Sequence, residues 1–208
     1  MKIAIIGSGN MGAGLAGVLA AVGNEVVIGT RDPAKAAALA EKIGHGAVGG
    51  GIGAAAKLAD ALILALPYGG VAEALKLAGD LAGKVLVDIS NPISADFKEL
   101  TLGHTTSAAE EIQKLAPTAH VVKAFNTIFA QLLPKEARQS NRLQVFIAGD
   151  DTGANATVAT LAQSAGFEPV KAGPLSNARF LEPIGEMNIH FGYFLGQGPT
   201  VAPIWVKA

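Results

Sequence analysis

Three glycines near the start of the chain stand in G-x-G-x-x-G spacing, at Gly7, Gly9 and Gly12. The apolar run Ile3-Ala4-Ile5-Ile6 precedes them, and a small-residue segment from Ala13 to Val22 follows. Strand, tight turn and helix together form the setting in which this spacing binds the pyrophosphate of a dinucleotide. Gly7 lets the chain turn sharply off the strand. Gly9, lacking a Cβ, lets a phosphate approach the backbone, and Gly12 lets the helix close on the strand. Ser8, Asn10 and Met11 complete the loop, and the helix N-terminus offers unpaired N–H groups and partial positive charge. A purely structural glycine turn is the competing reading.

A second group decides which dinucleotide. In an NAD site, an Asp or Glu ends the second strand and binds the ribose 2′-hydroxyl. Here that place holds Gly29 or Thr30, and Arg31 follows. Thr30 can donate to a 2′-phosphate, Arg31 can pair with it as a fork, and Lys35 adds a point charge. These residues favour NADP. The alternative is that Arg31 is a solvated loop residue neutralised by Asp32. Asp32 itself reads as a helix cap, with Pro33 in the first turn.

The third group is polar or small and sits where further strands should end: Leu66-Pro67-Tyr68, Asn91-Pro92 and Asn126. Loops at the carboxyl ends of parallel strands are where cofactor and substrate meet. Tyr68 either shields a cofactor or covers its loop. Asp88 reads as an internal capping carboxylate rather than a catalytic one. His104 reads as an exposed loop histidine. Nothing pairs a nucleophile with a base, and neither a metal-binding cluster nor an H-E-x-x-H motif is present, so no catalytic residue and no metal ligand is assigned.

The elements needed to hold these groups follow in order. Strands are expected at Lys2–Ile6, Glu25–Ile28, near Ala47-Val48, and at Ala61–Leu66, Val85–Ile89, Val121–Phe125, Leu143–Ala148 and Phe167–Val170. Helices are expected over 10–22, 33–43, 71–78 and 152–165, with another after the Thr105-Thr106-Ser107 cap. The six glycines of Gly44–Gly53 read as a linker or as a loop around the adenine. The result is an α/β Rossmann fold, a doubly wound, mostly parallel sheet of about eight strands. Residues 1–172 form this NADP-binding domain, and 173–208 a helical extension packed on it. In the extension, Phe180, Leu181, Ile184, Met187, Phe191 and Phe194 fall near helical spacing, as a core-closing helix or a subunit contact would. A homodimer through this helix is the expectation. His190, on the same helix, takes no assigned role.

Composition narrows the classes further. The 208 residues are half hydrophobic and carry a net charge of −1, enough for one sizeable core. Sixteen basic residues without a basic run argue against nucleic-acid binding. No cysteine is present, which rules out disulfides and thiolate catalysis. Glycines interrupt the first apolar segment, so it reads as part of the β-turn-α unit and not as a signal peptide. No uninterrupted apolar window is long enough for a membrane span. A cytoplasmic protein with no membrane partner is expected.

Several motifs in chain order carry a family resemblance. They are Ile5-Ile6-Gly7-Ser8-Gly9-Asn10-Met11-Gly12, Gly29-Thr30-Arg31-Asp32, Ala65-Leu66-Pro67, Asp88-Ile89-Ser90-Asn91-Pro92, Lys123-Ala124-Phe125-Asn126-Thr127, Ala148-Gly149-Asp150-Asp151, and Gly173-Pro174-Leu175 through Ala178-Arg179-Phe180-Leu181-Glu182-Pro183. On these the chain resembles the NADPH:coenzyme F420 oxidoreductases, small Rossmann reductases that also resemble the cytosolic domain of the STEAP ferric reductases. The resemblance implies an NADPH site at the first two motifs. It also implies a small-molecule redox acceptor above the nicotinamide, coenzyme F420 or a flavin (FMN or FAD), lined by the loops at Pro67, Asn91 and Asn126. Two other readings stand beside it: an NADP-dependent reductase of a small imine or carbonyl, and a non-catalytic NADP(H)-sensing module.

Overall fold

The computed structural model describes residues 1–138 and 142–206. Eight strands make one sheet: β1 Lys2–Ile6, β2 Glu25–Thr30, β3 Val48–Gly51, β4 Ala61–Leu64, β5 Val85–Asp88, β6 His120–Lys123, β7 Gln144–Gly149 and β8 Glu168–Gly173. Their order is β3-β2-β1-β4-β5-β6-β7-β8. Every pairing is parallel except β6 with β7. The order reverses between β1 and β4, and in such sheets the ligand crevice opens at that point, beyond the carboxyl ends of the strands.

Helices α1 Asn10–Ala21, α2 Pro33–Ile43, α3 Ile52–Leu58, α4 Val71–Ala78, α5 Ala108–Leu115, α6 Thr152–Ser164 and α7 Ala178–Ile189 cover the sheet. The strand period of two sorts the core into two layers. Ile3 and Ile5 of β1 pack with Leu15 and Leu19 of α1, Ala36 of α2 and Leu161 of α6. Ala4 and Ile6 point the other way, towards Ile52 of α3, Val71 of α4 and Ile112 of α5. β1 and β4 are buried on both faces, which is why they read as unbroken apolar runs.

The local capping chemistry behaves as the residue types require. Asp32 accepts from the Ala34 N–H at the start of α2, Ser107 from Glu110 at α5, and Asp151 from Ala154 at α6. The glycine-rich stretch is neither a linker nor a loose loop. It supplies most of β3, which runs three residues past Val48, and the start of α3. At Gly49 a Cβ would lie 2.2 Å from backbone atoms of Ala36, so α2 lies directly against the strand. Residues suited to such close approach carry no apolar signature, so α3 has no signal in the residues that lead into it.

α7 packs through Leu181 and Ile184 on Phe146 and Ala148 of β7. Its Arg179 forks onto Glu110 of α5, with Nε donating to Oε2 at 2.8 Å and Nη2 to Oε1 at 2.6 Å. This guanidinium, more than any other group, holds the Glu110 carboxyl below its ordinary value of 4.5. A depressed carboxylate stabilises the fold above the unfolded value and loses that contribution as pH falls through the folded value. Arg179→Gln should therefore be less stable than the parent chain in urea at neutral pH. The gap should close on acidification below 4.5. A gap unchanged across that range would rule the linkage out.

Candidate functional site

The glycine corner has the shape its spacing requires. Gly7 has φ +123°, and a Cβ there would lie 2.2 Å from the Ala65 carbonyl oxygen. A Cβ on Gly12 would lie 2.3 Å from the Gly7 carbonyl oxygen. The two glycines allow β1, β4 and α1 to close together. Above Gly9 the space is open: a Cβ added there would find nothing within 4 Å. Gly9 is also the N-cap of α1, and no side chain caps that helix. Open space over an uncapped helix N-terminus fits a pyrophosphate.

Beside this corner lies a cavity of about 370 Å³ lined by Gly7, Ser8, Thr30, Arg31, Asp32, Lys35, Leu66, Pro67 and Glu73 of α4 among others. Arg31 is exposed, and its Nη1 lies 3.2 Å from Glu73 Oε2. Its ion-pair partner is thus Glu73 and not the neighbouring Asp32, whose carboxylate caps α2. The Thr30 hydroxyl donates to the Asp32 carbonyl at 2.5 Å.

Two further cavities continue along the strand ends. One, of about 490 Å³, is lined by Leu66, Pro67, Tyr68, Ser90, Asn91 and Phe97 among others. The next, of about 240 Å³, is lined by Asn10, Met11, Asn91, Phe125, Asn126, Phe129 and Tyr193 among others. Leu66 and Pro67 are shared by the first two, and Asn91 by the second and third, so they form one trough along the carboxyl edge of the sheet. Gly9, Gly12 and Pro92 line none of the three, and Pro92 is buried. Burial first, then the Glu111 carboxylate, raises the Tyr68 phenol above its usual value, so its hydroxyl stays protonated at neutral pH. His104 is exposed and outside the trough.

Asn91 and Asn126 lock each other in the trough wall. Asn91 Nδ2 donates to the Asn126 carbonyl at 2.9 Å, and Asn126 Nδ2 donates to Asn91 Oδ1 at 2.9 Å and to the Leu181 carbonyl at 2.8 Å. α7 comes so close that a Cβ on Gly185 would meet the Asn91 amide at 2.5 Å. Phe125, just before Asn126, is held at φ +59°. For a non-glycine residue that conformation costs about 1–2 kcal/mol and persists only where surrounding structure enforces it.

Two residues before Phe125 lies a fully buried ionic network centred on Lys123. Lys123 Nζ contacts Asp88 Oδ2 at 2.5 Å, Glu182 Oε1 at 2.7 Å and the Ser90 carbonyl at 2.7 Å, which uses all three of its donors. Asp88 Oδ1 accepts from the Ser90 N–H and hydroxyl. Glu182 accepts from the N–H groups of Ala108 and Ala109 at the start of α5. Burial pushes the Glu182 carboxyl up, and Lys123 opposes that shift. The network ties β5, β6, α5 and α7 together directly beneath Asn91 and Asn126. Asp88 does serve internally, as its residue type suggested. The one clue to Lys123 was a lysine inside the otherwise apolar run Val121-Val122-Lys123-Ala124-Phe125.

Comparison with known proteins places this geometry. Residues 2–92, which hold the glycine corner, Arg31 and Asn91, match the family model described as NADP oxidoreductase, coenzyme F420-dependent. The F420-dependent NADP reductase of Methanocaldococcus jannaschii is 32% identical over 200 residues, covering 88% of this chain and 89% of that protein. The chain belongs to the F420-dependent NADP reductase family. Metalloreductase STEAP3 of Rattus norvegicus is 37% identical over 183 residues, but the match covers only 36% of that longer protein. A crystal structure from Arthrobacter sp. FB24, provisionally assigned as an F420-dependent NADP reductase, superposes with a TM-score of 0.85. It is 35% identical and covers 94% of this chain and 95% of that one. The chain is thus an NADP-dependent oxidoreductase of the family with an eight-stranded Rossmann fold. Among its described residues, no helix is long and apolar enough to cross a membrane.

Proposed function

We propose that the protein transfers a hydride between NADP(H) and a flavin-like acceptor, coenzyme F420 or a flavin. The observation that carries this reading is the trough: a pocket that presents Thr30, Arg31 and Lys35 at one end, continuous with a cavity walled by Asn91 and Asn126 at the other. The adenosine end belongs in the pocket at Arg31 and the pyrophosphate over Ser8, Gly9 and the start of α1. The nicotinamide belongs towards Asn10, Met11, Asn91 and Asn126, with Leu66, Pro67 and Tyr68 along its flank.

When bound, the reduced nicotinamide supplies the hydride. The chain's residues bind, orient and shield. Arg31 and Lys35 fix the distal phosphate, the uncapped helix holds the pyrophosphate, and the locked amides of Asn91 and Asn126 make a rigid wall. Holding two rings in reactive register is the main contribution such a protein can make, because the cofactors themselves carry the reactivity. No side chain in the trough is required as a nucleophile.

The test is an acceptor screen that follows loss of the reduced-nicotinamide absorbance. NADPH oxidation is expected with F420, FMN, FAD or riboflavin, and not with small imines. Turnover of imines without turnover of any ring acceptor would replace this reading with an imine reductase. Tight NADPH binding with no turnover at all would leave a sensing module.

A further inference from the structure

The trough does not stop at Asn126. It leads into a cavity of about 460 Å³ walled by Phe97, Phe129, Ile189, Tyr193 and Phe194, which shares Phe129, Ile189 and Tyr193 with the Asn126 cavity. Four of its five walls are aromatic rings. Phe129 and Tyr193 meet edge to face at 5.4 Å, and Phe194 is backed by His190 stacked at 4.8 Å. Phe97, Tyr193 and Phe194 are all exposed, so their faces are open to an incoming ring. Phe97 also sits at φ +61°, in the left-handed region.

The charges around this box differ from those at the other end of the trough. Lys98, beside Phe97, lies 4.0 Å from Asp96. The Ser94 hydroxyl holds the Asp96 carboxyl below its usual value, so that group is ionised at neutral pH. His190, beneath Phe194, lies 3.2 Å from Glu186. Lys98, the lysine flanking the box, thus faces a carboxylate, and the His190 ring faces Glu186; at the other end of the trough Arg31 is paired with Glu73, and Lys35 has no ion-pair partner among the described residues. An apolar box whose one flanking lysine lies beside a carboxylate offers stacking area and no unpaired counter-charge.

We infer that the Phe97–Phe129–Tyr193–Phe194 box is the acceptor subsite and that it takes an uncharged flavin-type ring, without recognising an anionic tail. The inference rests on the hydride-transfer reading above and narrows it. The net change is NADPH, a proton and the oxidised ring giving NADP⁺ and the dihydro ring; the hydride comes from the dihydronicotinamide and the proton from water. Riboflavin, which carries no phosphate, is then as good a ligand as FMN, and the polyanionic tail of F420 contributes nothing to affinity.

Equilibrium titration of ring fluorescence tests this without relying on turnover. Riboflavin, FMN and F420 are titrated against the protein, with and without NADP⁺, at low and high salt. Riboflavin and FMN should bind with similar affinity that salt barely changes, since screened charges play no part. Phe97→Ala and Tyr193→Ala should each weaken riboflavin binding by about tenfold, as loss of a stacked aromatic contact does. NADPH affinity should fall by less than riboflavin affinity does in each variant, and the sedimentation coefficient should be unaffected. Preference for F420 or FMN that fades with salt would overturn the inference in favour of tail recognition. A change of oligomeric state in the Phe97 or Tyr193 variant would overturn it in favour of a subunit contact. Failure of every ring to bind while NADPH binds would remove the subsite, whereas failure of NADPH itself to bind would remove the underlying hydride-transfer reading.

Discussion

Replacing Lys123 with methionine is expected to lower the unfolding free energy by about 3–5 kcal/mol, the range found when one partner of a buried ionic group is removed. The ammonium is fully buried between Asp88 and Glu182, which are 0% and 1% exposed. Methionine keeps most of the volume, so the loss reports on charge and not on a cavity. The variant should also change its response to pH. Burial already raises the Glu182 carboxyl, and Lys123 is the leading group holding it down. Without Lys123 the folded value rises further above the unfolded one. A raised carboxyl destabilises the fold above the folded value, and stability returns as pH falls through it. Lys123→Met should therefore recover stability on mild acidification, over a range where the parent chain does not. A triple variant with Asp88→Asn and Glu182→Gln added should regain part of the loss at neutral pH. Urea denaturation of the three proteins across pH gives the answer, and a Lys123→Met variant as stable as the parent would show that the network carries no net weight. Because the network lies under Asn91 and Asn126, its loss should also weaken NADPH turnover in protein that remains folded.

Arg31→Ala should weaken NADPH binding by about 1.5–3 kcal/mol, typical of a hydrogen bond to a charged group, or about 10- to 150-fold in Kd. NADH should bind almost as before, since it lacks the phosphate that Arg31 would grip. In the ligand-free geometry the guanidinium rests on Glu73 at 3.2 Å, with both side chains more than half exposed. Such an exposed pair is worth about 1 kcal/mol or less, so releasing Arg31 from Glu73 costs less than a bidentate phosphate contact returns. Titration of both nucleotides by fluorescence separates the outcomes. Equal losses for NADPH and NADH would place Arg31 in a general structural role. Tighter NADH than NADPH binding in the parent chain would remove the 2′-phosphate site altogether.

Much of this architecture is legible in the sequence because it rests on near neighbours. The run Ile3–Ile6, the glycines behind it and the small-residue helix are contiguous, and each element's period or cap is written in adjacent residues. Asp32, Ser107 and Asp151 cap their helices from two or three residues away. The missing acid after β2 is equally plain, because a single residue type at a single strand end distinguishes one nucleotide from the other. A strand near Val48 is readable, but its continuation through Gly49, Gly50 and Gly51 and the helix Ile52–Leu58 are not, because those glycines carry the composition of a loop. At Gly49 the backbone of α2 presses on the chain and leaves no room for a side chain, so the glycine that looks like a loop residue is what lets the strand pack.

The residues alone pointed to a Rossmann sheet, its glycine corner and the place of Thr30, Arg31 and Lys35 after the second strand, since those depend on positions a few residues apart. Only the tertiary structure revealed that Lys123 joins Asp88, 35 positions away, to Glu182, whose carboxylate in turn holds the N–H of Ala108, 74 positions from it. It likewise brought Phe97, Phe129, Tyr193 and Phe194 from three distant segments into one box. Buried charge and stacked rings are decided by which surfaces meet once water has been excluded, and a pattern of neighbours along the chain carries no record of that meeting.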